Sequence, residues 1–160
     1  MKSSEKLTLV MYPNTFGIGY VICQKPTDIV DFGMKSISKR THFQYLSKAK
    51  WLIEYANPDI VLLLDYHGAD QKISQRQEQV LADISEYARD HTISIKRYSR
   101  RQIREIFSEF KSYTKYDIAM TLIKWYPQLK SKEPHKRLDY MAEHYQMGVF
   151  DAFALMITHY

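Results

Sequence analysis

The chain is poor in the residues that mark special classes of protein: of 160 residues one is cysteine, Cys23, five are glycine and five are proline. A lone thiol excludes an intramolecular disulfide and any cysteine-based zinc site. With no Gly/Ser linker, internal repeat or low-complexity tract, a multi-unit or repeat organisation is excluded as well. Long hydrophobic runs are missing too. Lys2 and Lys6 precede only the short run Leu7 to Tyr12 before Pro13 and Asn14, which does not read as a secretory signal. The longest apolar stretch near the end is interrupted by Asp151 and falls far short of the roughly 18 residues of a membrane span. These absences lead to the expectation of one soluble, cytoplasmic domain over residues 1–160, with no membrane partner.

What is present suits a folded domain. Hydrophobic residues make up 45% and charged residues 26%, and a chain of this length buries roughly 70% of its unfolded surface. The net charge of +5 is unevenly spread: residues 1–91 carry 11 Lys/Arg against 11 Asp/Glu, residues 92–137 carry 12 against 4, and residues 138–160 carry none against 3. One segment therefore holds the basicity. Such a segment attracts polyanions through counterion release, or else is simply a solvated helical face.

The hydrophobic pattern predicts an order of elements. Leu7 to Tyr12, Phe16 to Cys23 and Asp28 to Lys35 read as three strands in a meander. His42 to Ala56 has helical spacing and is ended by Asn57-Pro58. Asp59 to Asp65 is nearly continuously apolar, as in a strand covered on both faces. Ser74 to Asp90 is helical, Ile93 to Lys96 alternates as a fifth strand, and helical segments follow at Ser99 to Phe110, Lys115 to Tyr126 and roughly Asp139 to Thr158. The order βββαβαβααα implies a mixed five-stranded sheet of α/β class, three strands antiparallel and the later ones parallel, flanked by helices. Ligands of such sheets bind beyond the carboxyl ends of the parallel strands, here Tyr12-Pro13-Asn14 and Asp65-Tyr66-His67.

Four segments in this order carry a resemblance. The opening L-V-M-Y-P-N-T-F-G-I-G-Y-V-I, the Pro58-Asp59 lead into a strand ending at Asp65, the segment Tyr113 to Ala119 with Tyr126-Pro127, and the closing Phe150 to His159 together resemble RuvC-like Holliday-junction resolvases of the RNase H-like superfamily. Tyr-Pro-Asn and the acidic lead into the last helix are also similar to a RuvC-like subgroup. The resemblance implies an RNase H-like fold, two-metal phosphodiester hydrolysis, branched DNA as partner, and a homodimer, since a junction offers two symmetry-related strands. Two Mg²⁺ (or Mn²⁺) ions about 4 Å apart require several carboxylates converging on one point.

Asp65, directly after I-V-L-L-L, is the first candidate ligand; otherwise it is a solvated loop acid. Asp151, in a segment with little other charge, needs compensation by a cation, a metal or backbone N–H groups, the last as a helix cap or first-turn acid. Glu143 is a third candidate for catalysis and metal binding. His144, seven positions before Asp151, shares its helix face to about 20° if one helix is continuous, while Glu143 lies about 80° away. The resemblance also sets Lys115 near the scissile phosphate. The chain departs from the family at two positions: Tyr12 stands where an Asp is expected before the proline, and Gly148 where an acid or His is expected. A phenol or the Asn14 amide supplies no such charge.

The basic segment offers Lys96, Arg97, Arg100, Arg101, Arg104, Lys111 and Lys115 for nucleic acid, with Lys124 following, and Tyr98, Tyr113, Tyr116 and Trp125 interleaved for stacking. Two alternatives stay open. The first is a catalytically inactive RNase H-fold scaffold binding nucleic acid or protein; the second is a globular domain whose basic helices contact an acidic protein.

Overall fold

A computed structural model describes residues 6–39, 41–65, 75–134 and 146–160. The strands are β1 (Thr8–Asn14), β2 (Gly17–Lys25), β3 (Asp28–Ser36), β4 (Ile60–Asp65) and β5 (Ser94–Ser99). The helices are α1 (His42–Ala56), α2 (Gln75–Asp90), α3 (Arg100–Ser108), α4 (Lys115–Trp125) and α5 (Met147–His159). The expected order holds. A 3₁₀ segment, Pro127–Lys132, is added after α4, because Pro127 cannot continue the α-helical bonding of the preceding turn.

The sheet order is β3-β2-β1-β4-β5. β1 pairs antiparallel with β2 and parallel with β4, β2 pairs antiparallel with β3, and β4 pairs parallel with β5. β1, β4 and β5 therefore run the same way, and their carboxyl ends share one edge. This is the α/β fold class and mixed sheet that the hydrophobic pattern implied.

Strand alternation sorts two cores. Leu9, Met11, Val61 and Leu63 face α1 and α2, together with Leu52, Ile53, Leu81 and Ile84. Val10, Tyr12, Leu62 and Leu64 face the other way and pack with Ile103, Phe107, Leu122, Phe150 and Phe153 of α3, α4 and α5. The strands are covered on both faces, which is why β4 reads as one apolar run rather than an alternation. Among the described residues, no helix is long and apolar enough to cross a membrane.

Caps set the element ends. Thr41 accepts from the Gln44 amide at the start of α1, and Asn57 closes it in the left-handed region at φ 46°. α3 and α4 both begin with capping boxes, Ser99 with Gln102 and Thr114 with Asp117. β5 runs on to Ser99, past the Lys96 limit read from its alternation. α5 begins at Met147, so Gly148 lies inside it, not at a break before it. Residues 139–145, expected to begin this helix, lie outside the described residues.

Gly148 has a packing reason. A Cβ on Gly19 of β2 would lie 2.0 Å from the Gly148 carbonyl oxygen, so helix and strand meet here backbone to backbone. A Cβ on Gly148 itself would lie 2.7 Å from both Asn14 Nδ2 and Met34 Sδ. The space of the acid or His expected there is filled by those two side chains.

Candidate functional site

At the shared carboxyl edge, α5 brings Asp151 to the end of β1. Asp151 is 3% exposed, in the second turn of a helix whose residues Met147 to Met156 are all buried. It is therefore neither the cap nor the first-turn acid that one alternative supposed. Its compensation comes from two cations. Arg100 Nη1 lies 3.4 Å from Oδ1, and Lys115 Nζ lies 3.3 Å from Oδ2.

Both cations are placed by the same local rule. Arg100 is the first residue of α3, directly after the cap Ser99, and Lys115 is the first residue of α4, directly after the cap Thr114. A cation at a helix N-terminus opposes the helix dipole. Asp151 offsets that cost at two helix starts at once. Arg100 is buried, whereas the Lys115 side chain is 37% exposed, so its ammonium joins the buried carboxylate to solvent. Nζ of Lys115 also lies 5.8 Å from the ring centroid of buried Tyr12.

Asn14 completes the edge. Its Oδ1 accepts from the backbone amides of Phe16 at 2.8 Å and Gly17 at 3.1 Å, closing the β1–β2 turn. Its backbone carbonyl accepts from the Tyr45 hydroxyl, tying the edge to α1. Its Nδ2 is buried with no hydrogen-bond partner, beside Gly148. Among the described residues, this edge gathers the Asp151 carboxylate, the Lys115 ammonium, the Arg100 guanidinium and the Asn14 amide N–H donor.

That donor set does not fit a pair of divalent cations. A metal site needs several deprotonated oxygens free to ligate, but the Asp151 oxygens each face a protein cation, and the Asn14 amide presents N–H where an acceptor is needed. Among the described residues, no group of three or more His, Cys, Asp or Glu is arranged to hold a metal ion. Glu143 and His144 lie outside the described residues, as do Tyr66 and His67.

Asp65 reaches the same edge of the sheet but not the same face. It pairs in register with Ser99, and the alternation of β4 sets it with Val61 and Leu63 on the side of α1 and α2. Leu62 and Leu64 occupy the side of α5. A side-chain period of two means that a one-residue offset reverses the face. The convergence of Asp65 and Asp151 expected from the sequence is corrected on this point.

The basic segment divides. Arg97 turns to the α2 side, donating to Ser85 Oγ and, at 3.4 Å, to the Leu81 carbonyl. Arg100 is committed to Asp151. These two cations, expected on a nucleic-acid surface, instead hold the sheet to its helices. Lys96, Arg101, Arg104 and Lys111 are exposed, with Arg101 3.3 Å from Glu105 one turn on. Tyr98 is partly buried against the α3–α5 core, its hydroxyl hydrogen-bonded to His159 Nδ1 at 2.7 Å. Sequence reasoning missed three features: Arg100 as the partner of Asp151, the orphaned Asn14 amide, and the Gly19 to Gly148 approach. The Ser-Arg and Thr-Lys pairs at two predicted helix starts were the available signal for the first.

No protein-family model matches the chain, and no curated protein matches its sequence. Solved structures do. The Thermus thermophilus RuvC in complex with a Holliday junction substrate superposes with a TM-score of 0.65 and 12% identity, covering 96% of this chain and 92% of that one. Another Thermus thermophilus RuvC structure gives a TM-score of 0.62 at 14% identity with the same coverage. The yeast mitochondrial Holliday junction resolvase gives 0.61 at 10% identity, over 96% of this chain and 77% of that one. The chain thus has the RuvC-like RNase H fold, as its motifs implied.

Proposed function

We propose that the chain is a nucleic-acid-binding protein that takes DNA across the cationic face of α3 and α4, with the Asp151 site serving as an internal ion cluster. The observation that carries this reading is the pairing of Asp151 with Arg100 and Lys115. Where two-metal chemistry needs converging acids, the described residues present cations and N–H donors, a polarity suited to phosphate. Lys115, partly exposed at the edge, is the natural first phosphate contact, and Lys96, Arg101, Arg104 and Lys111 extend the surface. The junction carried by one fold neighbour supports branched DNA as the partner.

Hydrolysis with Mg²⁺ or Mn²⁺ through Asp65, Asp151, Glu143 and Lys115 is the competing reading, favoured by the same neighbours, and one panel decides between them. Binding of a four-way junction and of plain duplex is measured against salt, alongside nicking with and without each metal. The proposal expects affinity to fall steeply with salt and no metal-dependent nicking. Arg104→Ala with Lys111→Ala should flatten the log–log salt slope by about 0.9 for each phosphate that is no longer neutralised. Salt-independent binding would overturn the phosphate surface. Nicking abolished by Asp151→Asn would overturn the inactive scaffold in favour of the nuclease. The particle mass in the same samples tests the homodimer.

A further inference from the structure

The connection between α3 and α4 runs back along α4 and carries aromatic rings into solvent. Phe110 lies edge-on to Trp125 at the end of α4, with ring centroids 4.9 Å apart. Ser112, buried, bonds Thr121 near the middle at 2.6 Å. The amides of Tyr113 and Thr114 reach Asp117 at the start. Phe110 is 51% exposed, Tyr113 64% and Trp125 39%. Buried Phe107 underlies the Trp125 ring, with centroids 5.9 Å apart. The ridge extends along the 11 residues of α4, about 16 Å at 1.5 Å per residue, and ends at Lys115 beside Asp151.

Cations interleave these rings. Lys111 stands between Phe110 and Tyr113, and Lys124 precedes Trp125, both exposed. The carboxylates in this stretch are Glu109 and Asp117, the latter engaged in the α4 cap. Lys111, three residues past the last residue of α3, has φ 58°, and the amides of Lys111 and Ser112 bond back to Ser108 and Phe107 in the manner of a helix-ending left-handed turn. Glycine is favoured at that position, yet the chain keeps a lysine between two exposed rings. Beyond Trp125, a groove of about 580 Å³ opens toward Pro26, Thr27 and Ile29. Asp28 also lines it, which suits an uncharged base better than a phosphate.

A second set of exposed rings on α1 differs in state. There Trp51 and Tyr55 are stacked on each other, centroids 5.0 Å apart, and Lys35 Nζ covers the Trp51 ring at 3.9 Å. Each ring thus spends one face on the other, and Trp51 is met by a cation as well. Phe110 meets Trp125 edge-to-face and Tyr113 is more than half exposed, with Lys111 between them in the sequence; cations along the backbone and accessible rings on which successive bases stack are the combination that binds single strands.

We infer that Phe110, Tyr113 and Trp125, with Lys111 and Lys124, form a stacking track for unpaired bases that leads to Lys115. This rests on the nucleic-acid reading above and names the substrate class, an unpaired strand such as one at a branch point. The test measures binding of a labelled oligo-dT and of a duplex of equal length by fluorescence anisotropy at one salt concentration. Wild type is compared with Phe110→Leu, Tyr113→Leu and Phe43→Leu, each checked by thermal melting. Phe43 is exposed on α1 and serves as the control. The expected result is a loss of about tenfold in oligo-dT affinity for each of the first two variants, duplex affinity within about twofold, and no change for Phe43→Leu. Phe110→Tyr should restore single-strand binding, because it restores the ring. Equal losses on both ligands, or none, would overturn the track while leaving the duplex reading standing. Variants that instead dissociate a dimer would assign the ridge to a second copy and overturn it as well. If wild type binds neither ligand, the nucleic-acid reading itself fails and the track fails with it.

Discussion

The two faces of the sheet solve the same burial problem differently. On one face, α1 and α2 cover Leu9, Met11, Val61 and Leu63 with apolar side chains, and the polar contacts include His42 with Asp83 at the periphery and Arg97 with the buried Ser85 hydroxyl. On the other, α3, α4 and α5 cover Val10, Leu62 and Leu64, but a carboxylate is sunk into the helix layer and held by two cations from neighbouring helix starts. The first face coheres by area, which tolerates small shifts. The second adds a charge balance, which fails if any member is lost. A buried ion cluster seldom stabilises more than well-packed apolar groups, so stability alone does not account for it.

The sharpest way to break the comparison is Asp151→Asn. Two cations, one of them buried, lose their counter-charge, and unfolding by denaturant should show a loss of about 3–5 kcal/mol. Leu63→Ala on the other face should cost about 2–5 kcal/mol from the cavity alone. The two losses differ in coupling. Arg100→Met should recover part of the Asp151→Asn loss, because the stranded guanidinium is gone, yet combine additively with Leu63→Ala across the sheet. Additivity in both cycles would show that the cluster is not a unit.

Gly148→Ala tests the backbone approach that seats α5. Its Cβ meets Asn14 Nδ2 and Met34 Sδ at 2.7 Å, so a loss of about 1–3 kcal/mol is expected by thermal or chemical melting. Wild-type stability would mean that the turn at Asn14 yields freely. Lys111→Gly should act in the opposite direction, adding about 0.5 kcal/mol by relieving a left-handed lysine while weakening nucleic-acid binding.

The smallest effect is in pH. Burial, then the charge of Lys96, lower the pKa of His159 from its ordinary 6.5. The unfolded chain therefore takes up the proton first, so the contribution of His159 is present above about pH 6.5 and declines as pH falls below it. Lys96→Gln should raise the pKa of the His159 ring in an NMR titration and shrink that decline. An unchanged titration would remove Lys96 as a cause.

The strands and helices were legible because their signals are local. Asn57-Pro58, Pro127 and the apolar run before Asp65 each act within a few residues, and most element ends moved by only one to three residues. The site was legible in part. That Asp151 needs compensation follows from its apolar neighbours, but the compensating groups come from 51 and 36 residues away. The pattern I-V-L-L-L-D marks where β4 ends and leaves open which face its last side chain joins.

The sequence by itself determined the order of elements and the concentration of positive charge between residues 92 and 137. The tertiary structure alone decided that Arg97 and Arg100 turn inward, that Asp65 and Asp151 lie on different faces, and that Gly19 meets Gly148. Propensity and hydrophobic period are properties of neighbouring residues, whereas the partner of a buried charge is fixed only when register and helix packing bring distant segments to one edge of the sheet.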